Sequence, residues 1–408
     1  MTTPSFAALG LSERLLRALE GATFHTPTPI QAEAIPPLLA GRDLLGVAQT
    51  GTGKTAAFAL PMLQHLDAGR ERASAFATRA LILAPTRELA LQIEASLRRL
   101  GAGGRLRIVS ILGGMSRSKQ VQQMRGGADI VVGTPGRVCD LMATRELQLH
   151  QVRHFVLDEA DRMLDLGFIR DIRRVLAALP AQRQSSLFSA TMPAEVSGLA
   201  ESLLCDPVRV SVTPAEPTPT RIEQHVHFVP QAGKRVLLAN LLADPQLSRV
   251  IVFTRTKRGA DRVAESVGAG GIAVSAIHGN KSQPQRQRAL ERFRRGQARV
   301  LVATDIAARG IDVTGVSHVI NFDLPAQAED YVHRIGRTAR AGAAGVAISF
   351  CDPAERGALR AIERAAGAKL VAASGDELAE TAAPRSAAPK RRRRNGGRGA
   401  APWMRRAA

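Results

Sequence analysis

The chain has 408 residues, 45% hydrophobic and 23% charged, values of a soluble globular protein with two or three domains and an apolar core in each. No run reaches the roughly 18 apolar residues of a membrane span, so a cytoplasmic protein is expected. The three scattered cysteines, Cys139, Cys205 and Cys351, argue against a disulfide framework or zinc site and read as core filler. The net charge of +20 points to a polyanionic partner, because Lys and Arg displace counterions from phosphates, although a compositional preference for Arg would give the same number.

Aromatics are only 3%, so the core is expected to be aliphatic and rich in Ala. Apolar runs ending in polar or Gly-containing turns occupy residues 43–50, 80–86, 107–113, 129–134, 154–161 and 186–191, with helical patterns between them. Continuous apolar strands alternating with helices predict an α/β fold, a parallel sheet covered by helices on both faces, with functional residues at the carboxyl ends of the strands. Three prolines within 213–220 break the rhythm and predict a linker. The rhythm resumes at 222–229, 249–254, 272–278, 298–304, 318–323 and 346–351. The expected organisation is a first domain over 1–212, the linker 213–220, a second domain over 221–365 and a tail over 366–408. From Thr381 onward there are nine basic residues and no acid, so the tail is expected to be disordered.

Residues 48–55 read Ala-Gln-Thr-Gly-Thr-Gly-Lys-Thr between a strand pattern and a helix pattern, the context a P-loop requires. Backbone N–H groups of Thr50, Gly51, Thr52 and Gly53 can curl around phosphate oxygens, helped by the helix dipole. Lys54 should reach the β- and γ-phosphates, and the Thr55 hydroxyl should bind Mg2+. Asp158-Glu159-Ala160-Asp161 closes a later apolar strand. There Asp158 can hold the Mg2+ shell and Glu159 can orient and deprotonate the attacking water. An acidic quartet alone is more often a solvated helix start. Following a P-loop at a strand end, it completes an NTPase that works with Mg2+.

These motifs, with others in the same order, resemble those of the DEAD-box RNA helicases, most closely the bacterial RhlE-type group, from Phe6 to Cys351. The resemblance implies two tandem RecA-like P-loop NTPase domains. Pro27-Thr-Pro-Ile-Gln31 resembles the Q motif, which implies that Gln31 bonds the adenine edge and Phe24 stacks on the base, with Phe6 in the same pocket. Arg87, Gly114, Thr134 and Arg137 match RNA-facing positions of the first domain, and Arg255, Gln283, Arg286 and Thr304 those of the second. Ser189 and Thr191 resemble the motif that couples hydrolysis to strand separation, and His333, which opens the arginine-finger motif, is grouped with them. By the same likeness Asp312 binds the ribose, while Arg337 and Arg340 point at the γ-phosphate. One departure stands out: Ala339 occupies a position where Gly is usual, which costs about 1 kcal/mol if the backbone there needs φ > 0.

The activity implied is ATP-driven closure of both domains on one RNA strand, peeling a few base pairs from a short duplex. Backbone contacts to RNA, ribosome-assembly or RNA-decay partners and a monomeric state belong to the same expectation, and the tail is expected to tether RNA. A non-enzymatic RNA scaffold and a DNA translocase of the same superfamily are the competing readings.

Overall fold

The structure, a computed structural model, describes residues 5–49, 51–69, 71–212, 222–308, 313, 315–339, 344–366 and 369–374. Thr50, Asp312 and Arg340, the predicted linker and the basic tail from 375 onward lie outside the described residues.

Among the described residues fourteen strands form two sheets. The first contains β1 (Leu44–Val47), β2 (Thr78–Leu83), β3 (Ile108–Ile111), β4 (Ala128–Gly133), β5 (His154–Asp158), β6 (Gln184–Ser189) and β7 (Val208–Ser211). The second contains β8 (Ile222–Phe228), β9 (Val250–Phe253), β10 (Val274–Ile277), β11 (Val300–Ala303), β12 (His318–Asn321), β13 (Gly345–Cys351) and β14 (Val371–Ser374). The strand orders are β3-β4-β2-β5-β6-β1-β7 and β10-β11-β9-β12-β13-β8-β14. Subtracting seven from each label of the second reproduces the first, so one topology occurs twice.

The helices of the first domain are α1 (Glu13–Gly21), α2 (Pro29–Leu39), α3 (Lys54–Ala68), α4 (Arg87–Leu100), α5 (Arg117–Met124), α6 (Pro135–Ala143), α7 (Ala160–Asp165), α8 (Ile169–Ala178) and α9 (Ala194–Leu203). Those of the second are α10 (Lys234–Ala243), α11 (Lys257–Ala269), α12 (Gln283–Arg294), α13 (Asp305–Ala308), α14 (Ala328–Ile335) and α15 (Arg356–Ala366). Every strand pairing is parallel. A parallel pair needs a crossover, and helices supply it, which is why both sheets are covered on two faces.

Two cores sandwich the first sheet. Leu15, Ile35, Phe58, Leu63 and Ile93 of α1 to α4 pack on one face, and Val138, Ile172 and Val196 of α6, α8 and α9 on the other. In the second sheet Val250 and Val252 face Leu238 and Val263, while Ile251 and Phe253 turn the other way toward Phe293, as the two-residue period of a strand requires. Tyr331, Ile335 and Ile362 fill the space beside β8 and β13.

The predicted fold class is borne out, with three differences in detail. Edge strands β7 and β14 lie outside the predicted runs. The second sheet continues past residue 365, because β14 pairs with β8 through Val371 and His225. Of the cysteines taken as core filler, only Cys351 is buried; Cys139 is half-buried and Cys205 is exposed. No helix among the described residues is long and apolar enough to cross a membrane.

Candidate functional site

The phosphate loop sits between β1 and α3. Gly51 and Gly53 take φ of 90° and 96°, which the absence of a Cβ permits. Gly53 is needed twice over, since a Cβ there would collide with Gln31 Nε2. Lys54 opens α3 with its side chain buried, and Nζ donates to Ala48 O at 2.9 Å. Thr52 Oγ1 donates to Gln49 O at 2.8 Å, and Thr55, in the first turn of α3, is half-buried.

Gln31 couples the start of α2 to this loop. Thr28 caps α2 with Pro29 at the first helical position, and Gln31 completes the capping box by accepting from Thr28 N at 2.9 Å. Its Nε2 donates to Gly53 O at 3.1 Å. The side chain expected on the adenine edge is therefore 1% exposed and held by protein on both sides. Phe24 packs half-buried on the first core with the Arg99 guanidinium 5.3 Å from its ring centre, and Phe6 is buried in the same core.

β5 delivers the acidic quartet beside Lys54. Asp158 is 2% exposed, and burial pushes its carboxyl up to about 6, opposed by the Lys54 ammonium. Its Oδ1 is buried without a hydrogen-bond partner among the described residues. Glu159 follows in the left-handed region, φ 56° and ψ 56°, a conformation that costs a non-glycine residue about 1–2 kcal/mol and that clusters at functional sites. It is buried, and Arg162 Nη1 donates to its Oε2 at 3.4 Å.

Asp161 gathers the end of β6. Its Oδ2 accepts from Thr191 Oγ1 at 2.9 Å, Thr191 N at 2.9 Å and Ala190 N at 3.2 Å. Ser189 Oγ accepts from Asp161 N at 3.3 Å and donates to Thr191 O at 2.7 Å. Across the cleft stands the end of α14. A cavity of about 500 Å³ is lined by Glu159, Asp161, Arg162 and Thr191 from the first domain, with Gln327, Asp330 and His333 from the second. His333 has its pKa lowered by burial and by Arg162 and Arg337, with Asp161 pulling the other way. Arg337 is buried, and its Nε donates to His333 O at 3.2 Å. The φ of Ala339 is 56°, so the condition raised by the sequence holds.

The positions expected to face RNA divide into two groups. In the first domain, Arg87 lies over the Gly113-Gly114 turn so closely that a Cβ on Gly114 would collide with Arg87 Nη1. Gly113 N donates to Thr134 Oγ1 at 3.4 Å, Thr134 precedes Pro135 at the start of α6, and Arg137 Nη1 donates to Met115 O at 3.1 Å. Burial and neighbouring Arg286 lower the Arg87 pKa. In the second domain, Arg255 is exposed, and Thr304 is buried at the end of β11.

Gln283 and Arg286 are held by the first domain. Both are buried at the start of α12 and bonded to Glu88 of the first domain: Gln283 Nε2 donates to Glu88 Oε1 at 3.1 Å and Arg286 Nη2 to Glu88 Oε2 at 2.7 Å. Their contacts join the two domains, and Glu88 is the member that motif reading left unassigned. Nothing in sequence could pair residues 198 positions apart. Arg334 was also missed: it is buried, bidentate to Asp305 at 2.5 and 2.8 Å, and fixes the end of α14.

A P-loop lysine, a buried acidic strand end and a facing arginine-bearing helix, divided between two domains of one topology, define a two-domain P-loop NTPase. The DEAD/DEAH box helicase family matches residues 28–199, and the helicase conserved C-terminal domain matches residues 233–342. The RNA helicase CrhR of Synechocystis sp. is 47% identical over 362 residues, 88% of this chain and 72% of its own length. The DEAD-box ATP-dependent RNA helicase CshA of Bacillus cereus is 45% identical over 370 residues, 91% and 69% of the two chains. The chain belongs to the DEAD-box helicase family. Among solved structures, S. cerevisiae Dbp5 bound to RNA and ADP BeF3 superposes with a TM-score of 0.81 at 36% identity, covering 91% of this chain and 95% of that one. A point variant of the same protein, bound to a gle1 variant and ip6, gives 0.72 at 35% identity and equal coverage.

Proposed function

We propose that the protein is an RNA-stimulated ATPase that closes its two domains on one RNA strand and thereby opens short duplexes locally. The single observation that carries this reading is the division of the hydrolytic groups. Lys54, Thr55, Asp158 and Glu159 belong to one domain and His333 and Arg337 to the other, and Glu159 and His333 line the cleft cavity from its two sides. ATP hydrolysis then requires both domains together, and RNA that fits the joined surface promotes it. The point variant of Dbp5 superposes better when bound to RNA and ADP BeF3 (TM-score 0.81) than when bound to the gle1 variant and ip6 (0.72) at equal identity and coverage, which supports a domain arrangement like that of the RNA- and nucleotide-bound form.

In this reading Lys54 and the P-loop amides hold the phosphates, Glu159 takes a proton from the attacking water, and Arg337 stabilises charge as it develops on the γ-phosphate. Arg340 and Asp312 are assigned by family likeness to the second finger and the ribose. The unpartnered Oδ1 of Asp158 and the Thr55 hydroxyl fit Mg2+, which takes one or two protein oxygens alongside substrate phosphates. When bound it would neutralise phosphate charge. Arg87, Gly114, Thr134, Arg137, Arg255 and Thr304 hold the RNA backbone, contacts that position a strand without reading its sequence. The bonds from Thr191 and Ser189 to Asp161, beside His333, carry the state of the nucleotide site toward the RNA face. The basic tail acts as an RNA tether. The protein works as a monomer in the cytoplasm, with ribosome-assembly or RNA-decay complexes as its setting.

The test is the ATPase rate without nucleic acid, with single-stranded RNA and with DNA of equal length. Strong stimulation by RNA alone is expected, and equal stimulation by DNA would favour a translocase. Glu159→Gln should abolish turnover while retaining ATP-dependent RNA binding. Turnover near the parent rate would remove Glu159 from its role.

A further inference from the structure

At the carboxyl ends of β9, β12 and β13 the second domain buries a carboxylate that no helicase motif accounts for and that also closes a capping box with Asp352, whose backbone N–H donates to Glu355 Oε2 at 3.3 Å. Glu355 is 8% exposed and follows the last residue matched by the helicase families. Its Oε2 accepts from Lys234 Nζ at 2.6 Å and its Oε1 from Arg255 Nη2 at 2.5 Å. Lys234 is fully buried, with Asp323 Oδ1 at 3.8 Å as its second carboxylate. Buried charges persist only when paired and hydrogen-bonded, so this cluster is a built feature of the domain.

Arg255 is the member that reaches solvent, its side chain 52% exposed. Its backbone N–H donates to Asp323 Oδ2 at 2.9 Å, and Nη2 also donates to Leu324 O at 3.3 Å. Main chain and one edge of the guanidinium are thus fixed, and the remaining N–H groups are left for an incoming anion. Lys234 and Arg255 face Glu355 and Asp323, so the cluster is balanced in charge, and the carboxylate fixes which edge of the Arg255 guanidinium is left facing solvent.

We propose that Glu355 is a positioning residue that presents Arg255 to an RNA phosphate, a role that rests on the RNA reading of Arg255 above. A long side chain loses rotamer freedom when it binds, and a guanidinium held beforehand avoids most of that loss. Without Glu355 the affinity for RNA falls while the chemistry at the distant nucleotide is unaffected.

The experiment uses the full chain, a short single-stranded RNA and saturating ATP, and reads ATPase against RNA concentration. Glu355→Gln keeps an acceptor for Lys234 and removes the charge that holds Arg255. It should raise the half-saturating RNA concentration about 2- to 10-fold, with the rate at saturating RNA unchanged. Arg255→Ala should raise it at least as much, and the double variant should match Arg255→Ala alone. Should Glu355→Gln shift the double variant by its full single-variant factor, Glu355 acts elsewhere and the proposal falls. An unchanged half-saturation in Arg255→Ala sinks the RNA reading of Arg255 itself, while an effect there with none in Glu355→Gln sinks only the positioning role. If thermal denaturation shows Glu355→Gln unfolded, Glu355→Asp takes its place, since it keeps a charge for Lys234 but falls one methylene short of Arg255. It should raise half-saturation likewise, and a parent-like value would overturn the proposal.

Discussion

Replacing Ala339 with Gly should stabilise the second domain. Ala339 sits at φ 56°, two residues beyond Arg337, in a turn that cannot relax toward β13. A Cβ on neighbouring Gly345 would already collide with Thr338 Oγ1 and lie 2.7 Å from Ala339 N. The left-handed conformation costs a residue with a Cβ about 1–2 kcal/mol. Glycine gives back about 0.5–1 kcal/mol through its greater freedom in the unfolded chain, and the Ala339 methyl is only partly buried against the cluster around Ile335. The net gain is about 0.5–1 kcal/mol. Urea unfolding followed in the full chain should show the transition of the second domain moved to higher midpoint with an unchanged slope. An unchanged or lowered midpoint would place the strain elsewhere and refute the reasoning. Gly345→Ala, forced against the same turn, should move the midpoint the opposite way.

Two further outcomes follow from the geometry. Glu88→Ala and Arg286→Ala each leave a buried charge without its partner where the domains meet, at a cost that opening relieves. Each should disfavour closure by about 2 kcal/mol, or ~30-fold, read as loss of energy transfer between dyes on the two domains. The double variant should lose less than the sum, and a Glu88→Ala protein that closes normally would return Arg286 to a purely RNA-facing role. His154, stacked on His65 with ring centres 5.3 Å apart, has its pKa lowered to about 4, mainly by burial and then by His65. The unfolded chain therefore binds this proton first: the contribution is complete above about pH 6.5 and is lost as pH falls toward 4, about 2 kcal/mol at pH 5. His154→Gln should flatten the fall in stability between pH 7 and pH 5, and an identical slope would discount the pair.

The alternation of strands and helices and the two phosphate-site motifs were legible along the chain alone. Each depends on neighbours along the chain: a strand is announced by its own apolar run, a P-loop by glycines placed for their own dihedral angles. The edge strands β7 and β14 escaped because Val-Arg-Val-Ser and Val-Ala-Ala-Ser are short and present mostly exposed or half-buried side chains among those described, and they become strands only against β1 and β8. Three contacts appear only once the chain is folded: Gln31 held by Thr28 and Gly53, Gln283 and Arg286 bound to Glu88, and Glu355 bridging Lys234 and Arg255. Charges so far apart in the chain meet because two copies of one fold face each other or because strand ends converge. Local sequence carries no record of that convergence, since ion pairing depends on distance in space and not on separation along the backbone.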